Sequence, residues 1–347
     1  MSKTFGEHPR PSIATAVWTP TRLALVMSAL AVLLVLAGLA AGSEGLSFAW
    51  QDNGWVIGAI RAPRTLGALC AGGLLGLSGA IAQGVFRNPL ADPYLLGSAS
   101  GATLAIVLTL AAGSAVGVPV ALLGGDWLVR IGLVGAAFVG ALFGVLLTLT
   151  LAGSTRSPTT LLLAGVVVGV LLGAISNLMM LISPEALRGA QMFLLGTTGF
   201  LGWTSLAPLI ASLVVALPLA IRFARVLDAL VLGEDTATTL GIPVPAIRLL
   251  LILLIALATG TAVAETGLVA FVGLVAPHIV RRTLIVTHGT LLALSTLVGG
   301  VLLLAADVLA RTLLAPQELP VGLLTAVVGG AYLLVLLRRK HVAEYSA

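Results

Sequence analysis

Charge is what this sequence has least of. Only 9% of its 347 residues are Asp, Glu, Lys or Arg, where soluble domains carry about a quarter. Hydrophobic residues make up 59% and the mean hydropathy is +1.15, so no water-soluble fold could hide so much apolar surface. Lysine is almost missing: Lys3 and Lys340 are the only two, both near the chain ends. A phosphate-binding loop needs Gly-Lys-Ser/Thr after a glycine-rich turn, so the chain has no nucleotide site of that kind. One cysteine, Cys70, excludes an internal disulfide and reads as a small packing residue in an apolar run. No His-x-x-x-His or Glu-x-x-His pair offers metal ligands. His8 and His341 lie in the tails, His278 and His288 flank a turn, and His278 reads as a hydrogen-bonded structural residue. The net charge of +5 does not point to nucleic acid, because the arginines are scattered singly or in pairs with no basic stripe.

What is present is a series of apolar runs. A helix needs about 20 apolar residues to cross a bilayer. The runs at 23–42, 63–85, 95–112, 131–152, 160–182, 205–221, 245–264, 290–306 and 320–337 qualify. A shorter one at 267–280, interrupted by Pro277, reads as a compact or broken span. The expectation is an all-α polytopic membrane protein of about ten helices in one transmembrane domain, 23–337. It is flanked by an N-terminal tail, 1–22, and a C-terminal tail, 338–347. Run 23–42 is taken as a retained first helix, not a cleaved signal. With the N-terminus inside, thirteen basic residues fall on the inner side and five on the outer, namely Arg61, Arg64, Arg130, Arg188 and Arg311. That bias places both termini in the cytoplasm, and omitting the 267–280 span would move Arg281 and Arg282 outside. The connection 182–204 is too apolar for a free loop and reads as a short interfacial helix.

The spans hold almost no acid. Glu265 and Asp307 sit at helix ends, where a cap or ion pair competes with a proton relay as the reading. Proton- or sodium-coupled carriers usually need buried ionisable groups, so the chain looks like a pathway without its own engine. Gly165, Gly169 and Gly173 recur every four residues and put a smooth face on one helix, suited to a pore wall or a subunit seam. Gly72 and Gly76 read as ordinary packing. Between Arg222 and Pro245 the segment GEDTATTLGI predicts a short helix, with Glu234 and Asp235 at its positive end and Gly241 and Pro243 stopping it.

Four blocks carry a family resemblance: residues 61–101 with RNPLADP at 87–93, LGEDTATTLGI at 232–242, FVGLVAPHIVRR at 271–282, and the stretch 306–339. In this order and spacing the chain resembles the permease subunits of ABC importers for iron-siderophore complexes, haem and vitamin B12. The resemblance implies a homodimer in the inner membrane, with two cytoplasmic ATPase subunits and a periplasmic or lipid-anchored substrate-binding protein. It implies no cofactor on this chain, ATP and Mg²⁺ belonging to the ATPase. It implies an ATPase-coupling segment near 226–244 built on Gly233, Glu234, Asp235, Thr236, Leu240 and Gly241, and a translocation path beside Gly165, Gly169 and Gly173. Arg61, Arg64 and Arg311 match positions that meet acidic residues of the binding protein. Lipid-headgroup contacts, or local pairing with Asp52 or Asp307, are the other reading of these arginines. A secondary transporter or channel acting alone is the alternative function, and a membrane-embedded enzyme a third.

Overall fold

A computed structural model describes residues 18–42, 45–46, 54–115, 127–153 and 157–345. Residues 1–17, Asp52, Arg156 and the last two residues lie outside this description, as do the side chains of Arg130, Arg339, Lys340 and His341. The fold is helical, and its element boundaries follow local chemistry. Helix α1 (Pro20–Ala40) starts where Thr19 Oγ1 accepts the Arg22 N–H and Pro20 presets the backbone. Two-residue strands β1 (Ala41–Gly42) and β2 (Gly45–Leu46) then pair antiparallel. Helix α2 (Gly54–Val85) begins nine residues before the expected boundary of 63. It contains a π turn, Ile57–Arg61, placed just before Pro63. In a regular helix the Pro63 ring would press on the carbonyl of Ala59, and the wider turn accommodates it.

Helices α3 (Ser98–Ala115), α4 (Trp127–Ala152) and α5 (Pro158–Ile182) follow, and α6 (Pro184–Leu195) is the short helix expected within 182–204. Ser157 and Ser183 cap α5 and α6. Next come α7 (Trp203–Arg222), α8 (Ala224–Val231), α9 (Glu234–Thr239), α10 (Val244–Thr266), α11 (Val272–Thr283), α12 (His288–Thr312) and α13 (Val321–Tyr345). The last continues through most of the segment expected to be a C-terminal tail. Seven helices among the described residues are long and apolar enough to cross a membrane, and α3 and α13 hold shorter apolar stretches. Helix α11, with 12 residues, extends about 18 Å against a hydrocarbon core of about 30 Å. It is the compact element the sequence suggested at 267–280, preceded by a non-helical link in which Phe271 takes a left-handed conformation.

Helix α2 is the buried axis, packed by α7, α10, α11 and α12. Its contact with α12 is the most extensive in the bundle, and glycines on both surfaces let the backbones approach. A Cβ on Gly72 or Gly76 would collide with the backbone of Gly299 or Ser295, and Gly79 meets Gly273 of α11 in the same way. The packing reading of Gly72 and Gly76 therefore has its partner. Helix α13 is held far more lightly, touching α12, α11 and α6 along limited stretches. His278 packs edge-on against its Tyr332, with ring centroids 5.8 Å apart.

Candidate functional site

Two clusters of charged side chains mark opposite ends of α12. At its C-terminal end, Asp307 is fully buried and accepts from three side chains. Arg64 Nε donates to its Oδ1 at 3.0 Å, Thr198 Oγ1 donates to the same oxygen, and Arg311 Nη2 donates to Oδ2. Arg311 Nη1 also donates to the Gly38 carbonyl at 2.9 Å and to that of Ala41 at 3.4 Å, so it closes the end of α1, where carbonyls lack helical partners. Its Nη2 reaches Thr65 Oγ1 at 3.3 Å. Arg64 has a second partner: its Nη1 donates to Glu318 Oε2 at 2.8 Å. Glu318 sits in the link between α12 and α13, with its side chain 36% exposed, whereas that of Arg64 is 8% exposed.

Arg61 and Arg64 are three residues apart, yet they serve different partners. The guanidinium of Arg61 donates through Nη1 to the Leu39 and Ala40 carbonyls at 3.0 and 3.1 Å. The π turn ends at Arg61, so the two side chains leave the helix on different backbone geometry. Of the two acids named as alternative local partners, Asp307 binds Arg64 and Arg311, and Asp52 lies outside the described residues. Around this cluster lies an exposed rim of Trp55, Ile60, Phe200, Trp203, Leu313 and Leu314. Trp203 Nε1 donates to the Gly58 carbonyl at 3.0 Å and ties α7 to the π turn. Sequence reasoning missed Glu318 and Thr198 here; neither sits in a local pattern that announces a partner more than a hundred residues away.

At the other end, α9 forms as its ends dictate. Gly233 and Gly241 adopt positive φ (117° and 74°) that side chains resist, and the Thr238 and Thr239 hydroxyls both fold back to the Asp235 carbonyl at 2.8 Å. Arg248 of α10, its side chain fully buried, grips Glu234 through both nitrogens at 3.2 and 3.1 Å. This planar fork fixes the angle of α9 against α10. A second clamp lies one helix earlier: Asp228 Oδ1 accepts the His288 backbone N–H at 2.9 Å and contacts its Nδ1 at 2.6 Å, capping α12 from α8. Among the expected coupling residues Asp235, Thr236, Leu240 and Gly241 are exposed, while Gly233 and Glu234 are half-buried. Exposed Val231 and Leu232 widen the apolar surface around them. Neither clamp was expected from sequence.

The glycine stripe of α5 divides. Gly165 is buried, and a Cβ there would strike the Leu95 carbonyl in the turn before α3. Gly169 faces only Ser100 Oγ, 3.6 Å from such a Cβ, and Gly173 faces open space within 4 Å. Val166, Val167, Val170 and Leu171 are exposed beside them, leaving this flank of α5 without a partner among the described residues. Glu265 lines two cavities of about 200 and 460 Å³, one between α3, α4, α6 and α10 and the other between α4, α7 and α10.

The FecCD transport family matches residues 23–339. The chain is 35% identical to the cobalamin import system permease protein BtuC of Halobacterium salinarum, over 99% of its own length and 93% of that protein. It is 39% identical to the hemin transport system permease protein HmuU of Yersinia pestis, over 91% of its own length and 96% of that protein. Among solved structures, one described as an inward-facing conformation of a metal-chelate type ABC transporter superposes with a TM-score of 0.80 at 29% identity. That match covers 92% of this chain and 100% of the other.

Proposed function

The chain belongs to the FecCD transport family; it is an ABC-importer permease subunit rather than an enzyme, and from that premise we propose that it carries a bulky iron chelate or corrinoid by alternating access. In this reading two copies form the path on their shared axis, each with a cytoplasmic ATPase that holds ATP and Mg²⁺. The chain lies in the inner membrane with both termini cytoplasmic. A substrate-binding protein docks on the outer end at Arg61, Arg64 and Arg311. Gly165, Gly169 and Gly173, with the exposed valines beside them, border the path. Haem and ferric siderophores are favoured as cargo; relatives named for cobalamin and hemin keep both chelate classes in view.

The observation that carries the reading is α9, a short exposed helix rigidly fixed to the bundle. A helix of six residues has no stability of its own, so its exposure needs an anchor, and the Arg248 fork supplies one. Movement imposed on Asp235, Thr236 and Leu240 by an ATPase passes through Glu234–Arg248 into α10, and through Asp228–His288 into α12. Helix α12, with 25 residues, spans about 37 Å and ends in Asp307 and Arg311. One rigid rod thus joins the coupling end to the docking end. A stand-alone carrier driven by protons would need a proton-carrying acid in its spans, whereas Asp307 is bound by two arginines and a threonine.

Reconstitution tests this directly. In proteoliposomes holding the chain, its ATPase and its binding protein, uptake of haem, a ferric siderophore or cobalamin should require all three proteins and ATP. Uptake without the ATPase, or saturable ATP binding to the isolated chain, would overturn the proposal.

A further inference from the structure

If the outer end receives a carboxylate, the charges already there must first be counted. Arg64 and Arg311 supply two positive charges, and Asp307 and Glu318 supply two negative ones within direct contact. The cluster is neutral as it stands, and no guanidinium in it awaits a partner. Arg61 at the same end adds a further positive charge that donates to the Leu39 and Ala40 carbonyls, so an incoming acid can meet Arg61 directly but gains little at Arg64 unless its resident acid leaves. The two acids differ sharply in their ability to do so. Asp307 is fully buried on a helix and bound by three side-chain donors, so extracting it would leave the buried Arg311 without an acid and Arg64 with Glu318 alone. Glu318 sits in a non-helical link, is one-third exposed, and holds a single side-chain bond, to Arg64 Nη1 at 2.8 Å.

We propose that Glu318 is an internal stand-in for a carboxylate of the docking partner, and that docking exchanges it for the partner's acid on Arg64. This rests on the reading above that a substrate-binding protein docks at this end. The exchange has a consequence for α13. Glu318 lies three residues before Val321, where α13 starts, and Leu319 N–H donates to the Ala310 carbonyl in the same link. Helix α13 has limited contacts with the rest of the bundle, and the link is one tie at its N-terminal end, beside the Gly322 N–H bond to the Gly196 carbonyl and the buried Val321. Freeing Glu318 loosens that tie at the moment the partner arrives. The exposed apolar rim, including Leu313 and Leu314 in the same link, then serves the partner's surface while Arg64 serves its charge.

The test compares wild type with E318Q in nanodiscs, using the substrate-free binding protein as probe and a photo-crosslinking residue at Leu313 to report where it sits. Glutamine keeps the shape and a carbonyl acceptor but surrenders the charge, so Arg64 attracts the partner's acid without competition. The expected result is an affinity gain of roughly threefold to tenfold, greatest at low salt, with the Leu313 crosslink retained. An unchanged or weaker affinity with the crosslink retained would overturn the exchange while leaving the docking reading intact. Absence of a crosslink in wild type would overturn the docking reading and the exchange with it.

Discussion

Arg64 Nε and Asp307 Oδ1 meet at 3.0 Å, joining α2 and α12 across 243 positions of sequence. The pair closes the end of the helix contact that glycines hold together along its middle. Asp307 is the hub, because it accepts from Arg64, Thr198 and Arg311 together. Replacing it leaves the buried Arg311 without an acid and Arg64 with Glu318 alone. D307A should destabilise the folded chain by about 3–5 kcal/mol, measured by equilibrium unfolding in mixed micelles. A loss below about 1 kcal/mol would mean that the arginines find water or lipid headgroups instead.

The Glu234–Arg248 fork makes a different prediction, about coupling rather than folding. E234A lies at the end of the bundle away from the docking residues and unfixes α9 by removing the carboxylate that Arg248 grips. ATP-driven uptake should fall by about tenfold, equivalent to roughly 1.4 kcal/mol, while affinity for the binding protein stays within about twofold. Comparable uptake by wild type and E234A would show that α9 is positioned by the ATPase alone.

These two clusters also show where a single sequence stops speaking. The apolar runs announced the helices because span length is set by the bilayer, and Glu234, Asp235, Gly241 and Pro243 announced α9 because turn and cap chemistry is local. The start of α2 was misjudged by nine residues because hydropathy does not register a π turn that absorbs Pro63. Partners were the illegible part. Glu318 lies 254 residues from Arg64 and His288 lies 60 from Asp228, and nothing in a periodic pattern links them. Asp307 could be named as a possible partner because it was one of so few acids near a helix end. The glycine stripe at 165, 169 and 173 was read as one face, yet only its first member is packed against a backbone, since the neighbouring turn Pro93–Leu96 covers one end of α5.

That uneven stripe yields a paired substitution. Gly165→Ala puts a methyl group into the Leu95 carbonyl, and overpacking of this kind costs about 1–3 kcal/mol. A Cβ at Gly173 meets no described atom within 4 Å, so Gly173→Leu should leave expression and thermal stability unchanged. If the open flank of α5 borders the path, the leucine narrows it and cuts uptake of a bulky chelate severalfold. Normal uptake by Gly173→Leu would assign this flank to lipid or to a static seam.

The last prediction concerns Asp92, in the link between α2 and α3. Its Oδ1 accepts the Tyr94 N–H at 2.8 Å, starting the Pro93–Leu96 turn. Burial pushes its carboxyl up to about 6 from the ordinary 3.8, outweighing the opposing effect of the Tyr94 hydrogen bond. Because the folded state binds the proton more tightly than the unfolded chain, protonation favours folding. The contribution is full below about pH 4 and disappears as pH rises through about 6, by up to about 3 kcal/mol. Asparagine keeps the oxygen that accepts the Tyr94 N–H and carries no charge at any pH. D92N should therefore match wild type near pH 4, exceed it in thermal stability at pH 7.5, and lose this part of the pH slope. A wild-type stability that rises between pH 4 and 6, with D92N parallel to it, would show that Asp92 titrates as an ordinary solvated carboxylate and that its link is open to water.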